Sequence, residues 1–167
     1  MEKGRLIIND LPTIDELQRR FKQREELLRG KVRENPEEIM KLRKNMTYQF
    51  VTENFLMLEL KDKELVNTSA KNIVKYFSFV GIGIVFLNIK LAGITRNRIF
   101  SKPWPIRFGI RSAIVLIPMF FIFDNVFATY TRLSMYLIDK YLERCESFMR
   151  IGDPKIINPF RDEEVED

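Results

Sequence analysis

YFSFVGIGIVFLNIKLAGIT (residues 76–95) is twenty residues long and carries a single charge, Lys90. At 1.5 Å of rise per residue, a helix of that length spans about 30 Å, the thickness of a bilayer's hydrocarbon core. A second segment, SAIVLIPMFFIFDNVFATYT (residues 112–131), repeats the length and again carries one charge, Asp124. Between them lies RNRIFSKPWPIRFGIR (residues 96–111), with five basic residues, no acid and the chain's one tryptophan, Trp104. Two apolar segments of matched length around a basic, aromatic-bearing connection read as two transmembrane helices with an interfacial turn. The competing interpretation is two buried helices of a soluble core. The strictly uncharged runs, 76–89 and 112–123, are each shorter than the roughly 18 residues that would exclude it.

Working outward, the N-terminal side alternates cap signals with amphipathic runs. Residues 1–12 form an extension without the long apolar core of a secretory signal or the acid-poor character of a transit peptide. Thr13 is a helix N-cap followed by Asp15 and Glu16, with Ile14, Leu17, Phe21 and Leu28 on one stripe and Gly30 as a stop. Asn35 and Pro36, followed by Glu37 and Glu38, open a second helix. Ile39, Leu42, Met46, Phe50, Leu56 and Leu60 recur along it at helical spacing to about Leu65. Residues 13–68 therefore predict an extramembrane amphipathic hairpin, and 72–95 the first span. On the C-terminal side, Leu133, Leu137, Tyr141 and Phe148 line one face beside Ile138, Leu142 and Cys145. The second span should thus continue out of the bilayer over 132–151, stop at Gly152, and leave a tail, 152–167, extended or disordered unless it docks on a neighbour. The expected class is an all-α membrane protein.

Chemistry is sparse. The 167 residues contain no histidine and one cysteine, Cys145. That composition argues against zinc, haem and iron–sulfur sites, internal disulfides and histidine-based catalysis. Gly81-Ile82-Gly83 lies inside an apolar run with no following Lys-Ser/Thr, so it is no phosphate loop. The sequence therefore points to neither an enzyme nor a cofactor. Buried cysteines of this kind are usually inert.

Charges at membrane depth cost about 2.5–3.5 kcal/mol near the bilayer centre, so Lys90 and Asp124 need partners or an interface. Lys90 is placed to snorkel toward the basic turn. Simple antiparallel pairing of the two 20-residue segments sets Asp124 level with Gly83 and Lys90 level with Ile117, too far apart for a salt bridge. Asp124 then reads as a polar contact with a neighbouring protein, as part of an ion path, or as a residue at the headgroups. Gly81 and Gly83 offer a flat surface for helix packing, and Pro118 a kink.

The basic residues Arg96, Arg98, Lys102, Arg107 and Arg111, with Trp104, sit between membrane-length segments rather than on a soluble basic module. This argues against nucleic-acid binding and for topology and anionic phospholipid such as cardiolipin. The expectation is a non-catalytic accessory subunit of a multi-protein complex in the mitochondrial inner membrane. Its basic loop faces the matrix, and the respiratory chain ranks ahead of ATP synthase as host. Scarce alanine, abundant phenylalanine and a net charge of +5 accompany that expectation. A membrane-shaping or tethering hairpin of the endoplasmic reticulum and a small transporter or channel subunit are the alternatives.

Overall fold

The computed structural model describes residues 10–29, 35–100 and 103–161; side chains at 88, 91–100 and several positions between 107 and 122 lie outside that description. Every element among the described residues is helical. Helix α1 spans Ile14–Leu28, and Thr13 Oγ1 accepts the Glu16 N–H at 3.3 Å. It ends one residue before Arg29, so the expected stop at Gly30 falls outside the described residues. Helix α2, Pro36–Glu53, starts where its cap signals place it, with Asn35 Oδ1 accepting the Glu37 N–H at 3.1 Å.

Three boundaries differ from the sequence expectation. Helix α2 does not continue to Leu65. Asn54 leaves the helical region (φ −110°, ψ 37°), a 3-10 turn covers Phe55–Met57, and Leu58 and Glu59 lead into α3, Leu60–Phe100. The apolar stripe drawn through Leu42, Met46, Leu56 and Leu60 crosses that break. Those four side chains are exposed, and α2 buries Met40, Thr47 and Val51 instead.

The second difference is the missing junction between the expected hairpin and the expected first span. Helix α3 runs for 41 residues, about twice what a bilayer needs, because VNTSAKN at 66–72 changes composition without supplying a glycine or proline stop. Third, the connection at 96–111 is largely helical. Helix α3 reaches Phe100 and α4, Trp104–Ile151, begins four residues later. Pro103 blocks continuation of α3 through the residue before it, whereas Pro105 occupies the first turn of α4, where its missing N–H is not needed.

Helix α4 ends as expected at Gly152, whose φ of +77° suits glycine and whose N–H donates to Phe148 O at 2.7 Å. The segment after it docks on its own chain. Pro154–Ile156 form a 3-10 turn, Ile157 and Asn158 are buried, and the Asn158 amide donates to Leu58 O at 3.4 Å.

The chain divides into two compact units, residues 1–68 with 129–167, and Ser69–Ala128. The first, called the head here, holds a core of Leu11, Val51, Leu58, Leu65, Leu133, Leu137, Tyr141 and Ile157. Helices α1 and α2 are in contact within it, and Lys44 Nζ lies 4.1 Å from the Phe21 ring centroid. The second unit carries the apolar stretch. Residues Leu60–Leu87 of α3 include an 18-residue window long and apolar enough to cross a membrane, and none of that window is buried.

Candidate functional site

Two features stand out: a charged junction inside the head, and the exposed apolar belt of the second unit. The junction grows from the break at Leu58–Glu59. Glu59 donates its backbone N–H to Tyr141 Oη at 3.1 Å, and Tyr141 donates its hydroxyl to Asp62 Oδ2 at 2.6 Å. Lys140 Nζ bridges Glu59 Oε2 and Asp62 Oδ2, each at 2.6 Å, and Tyr136 donates to Asp62 Oδ1 at 3.4 Å. Arg144 pairs with the other Glu59 oxygen and donates to Ile157 O at 3.1 Å, which ties the C-terminal segment to the junction.

Electrostatics follow this geometry. Burial raises the Glu59 carboxyl, but hydrogen bonds from Lys140 and Arg144 and their charges outweigh it, so Glu59 titrates below the usual glutamate range. Burial likewise opposes charge on Lys140, and its two carboxylate partners reverse that, holding it above the usual lysine range. The Tyr141 phenol is pushed far above the tyrosine range by burial and by Asp62. These groups are locked to one another and poised neither as acid nor as base near neutrality. Cys145 is buried, and burial followed by the nearby Glu146 charge pushes its thiol up, away from thiolate reactivity.

The rest of α4's head portion gathers the other elements in the same way. Arg132 donates to Pro12 O at 2.9 Å and to Leu11 O. Arg24 lies 2.8 Å and Arg20 3.2 Å from the nearly buried Asp139 carboxylate. Arg43 of α2 grips Glu146 through both carboxylate oxygens. A shallow apolar groove of about 210 Å³ opens beside that pair, lined by Arg43, Met46, Thr47, Glu146, Met149 and Arg150.

In the second unit, α3 and α4 run antiparallel. Helix α3 is described to Phe100 and α4 from Trp104, and the Phe77 and Phe123 rings meet edge to face with centroids 5.8 Å apart. Counting from that contact sets Asp124 about level with Tyr76, at the head-side end of the apolar run. The sequence expectation sets it level with Gly83, seven residues further along α3. Lys90 likewise falls level with about Ile110 rather than Ile117, some 14 residues or about 21 Å along the axis from Asp124. Both side chains are exposed.

No protein family, curated protein or solved structure matches this chain.

A Cβ added at Gly81 or Gly83 meets nothing within 4 Å, so among the described residues nothing packs closely on that flat surface. Trp104 is exposed at the start of α4. The side chains of Arg96, Arg98, Arg107, Arg111 and Pro118, and all of Lys102, lie outside the described residues. Sequence reasoning missed the Glu59–Asp62–Lys140–Tyr141–Arg144 junction altogether. Its only trace was two charge-rich stretches, 59–64 and 139–146, which resemble ordinary solvated helix faces until their partners are known.

Proposed function

We propose that the chain is a non-catalytic accessory subunit of a large mitochondrial inner-membrane complex, with a respiratory-chain complex preferred over ATP synthase as host. In this reading α3 and α4 each cross the bilayer once. Arg96, Arg98, Lys102, Arg107 and Arg111 face the matrix with Trp104, against anionic headgroups such as cardiolipin. The observation that carries it is the contrast between the units. The head encloses its own core, whereas the apolar window of α3 has no buried part. An apolar helix inside a soluble core would be mostly covered.

The described residues of the second apolar segment agree: Leu116, Ile117, Phe120, Phe123 and Phe127 are all exposed. Apolar surface on that scale needs lipid or other subunits around it. The open face at Gly81 and Gly83 suits close approach of another transmembrane helix. Composition and the basic connection supply the choice of organelle and of the matrix side.

Gentle detergent extraction, a native gel and mass spectrometry of co-migrating proteins test this reading. The chain should run in a high-mass band with respiratory subunits; migration only as a small free species overturns it. Protease protection of tagged termini tests topology, both termini being expected on the side opposite the matrix.

A further inference from the structure

The register of α3 against α4 brings charges that are far apart in sequence into two levels. Lys75 and Asp124 lie within about one residue of each other along the axis, at the head-side end of the second unit. At the other end Lys90 lies within about one position of Arg111, by backbone register alone. Between these levels neither helix carries a charge: Tyr76–Ile89 on α3 and Ser112–Phe123 on α4. At 1.5 Å per residue those runs measure about 21 Å and about 18 Å.

A typical hydrocarbon core is about 30 Å thick. Lysine and arginine at the boundaries can lengthen the effective span by snorkelling, but Asp124 cannot, because its carboxylate sits one carbon from Cβ. It is also exposed, and among the described residues it carries no ion pair. Around this belt the apolar surface is open on several faces, with Phe79, Ile82, Phe86 and Phe120 exposed.

We infer that Asp124 and Lys75 mark the head-side edge of the hydrocarbon layer and that the second unit is built for a thin bilayer. It holds a short uncharged belt in contact with short-chain lipid. The inference rests on the membrane reading above and adds to it the lipid thickness and the role of Asp124. That residue is an interface stop rather than a mid-membrane contact or a step in an ion path. A short belt in a thick bilayer forces thinning, tilt or burial of the carboxylate, each at a modest cost per ångström.

The test uses the full chain with Trp104→Phe and Phe79→Trp, which leaves one tryptophan on the belt. It is reconstituted in phosphatidylcholine vesicles whose monounsaturated chains run from myristoleoyl to erucoyl. Quenching by brominated analogues of each lipid gives relative lipid affinity, and flotation reports insertion. Short-chain lipid should be preferred over erucoyl lipid by about threefold. Asp124→Leu, which extends the uncharged run of α4 to Thr131, should move the optimum to longer chains.

A flat profile, an optimum at long chains, or an unchanged optimum in Asp124→Leu overturns the inference while leaving the membrane reading intact. Weak quenching in every lipid despite flotation would mean that a second copy covers the belt, which also overturns it. Failure to float with vesicles of any composition sinks the membrane reading itself.

Discussion

Asp62 has no exposed surface and gathers Lys140, Tyr141 and Tyr136 around its two oxygens. Removing one member of such a buried set leaves the others desolvated and unpaired, so the cost exceeds the value of the bonds themselves. Asp62→Ala should destabilise the head by about 3–5 kcal/mol, read as a fall in the near-UV melting transition of the tyrosines. Tyr141→Phe removes one hydroxyl that both donates to Asp62 and accepts from Glu59, and should cost about 1–3 kcal/mol. By contrast, Glu16→Ala, which removes only the exposed pair with Arg20, should change the melting point little. The pH dependence follows from the same groups. Glu59 is lowered in the folded head, so its contribution is present above the unfolded glutamate pKa and lost as pH falls through its folded value. Lys140 and Tyr141 are raised, so their contribution is complete below their unfolded values near about 10 and fades as pH rises beyond them. Stability should therefore be level from about pH 5 to pH 9 and fall on both sides, sharply less so in Asp62→Ala on the alkaline side.

Helix starts were legible because caps are local: Thr13 and Asn35 both accept the N–H groups their spacing predicts. Helix ends inside long runs were not. Nothing between Asn54 and Glu59 is a glycine or proline, and the break there depends on Tyr141 and Asn158 binding the backbone of Glu59 and Leu58 from across the head. Such partners lie about 80 and 100 residues away, beyond the reach of any local pattern. Apolar periodicity located α4's buried face correctly, with Leu133, Leu137 and Tyr141 in the core, but failed for α2 because its stripe continued through that break. The same local-versus-distant distinction separates two glycine substitutions. Gly152→Ala meets no atom within 4 Å, so its cost is that of the backbone alone, about 1–2 kcal/mol, measurable as a lowered melting point. At Gly81 an added Cβ likewise meets nothing within 4 Å, so Gly81→Ala should leave the melting of the isolated chain intact while its incorporation into the native high-mass band falls. Equal incorporation would show that no neighbouring helix uses that face.

At the scale of the whole chain, the head is assembled from both ends of the sequence, with Ser69–Ala128 inserted between them. The core residues and the members of the charged junction named above all belong to residues 11–65 and 132–158. The head should therefore fold without the membrane segment. Residues 68 and 129 are carried by α3 and α4, which pack side by side in the head where Asp62 meets Lys140 and Tyr141. Packed helices lie about 8–10 Å apart, so a flexible Gly/Ser linker of about six residues bridges that gap with slack. Replacing 69–128 by such a linker should yield a helical protein that melts cooperatively without detergent. A chain that loses helical circular dichroism, or stays in solution only with detergent, would mean that the insert supplies part of the fold. Asp62→Ala provides the internal control, because every partner of Asp62 named above lies in the head. The destabilisation it causes in the linker protein should match that in the full chain.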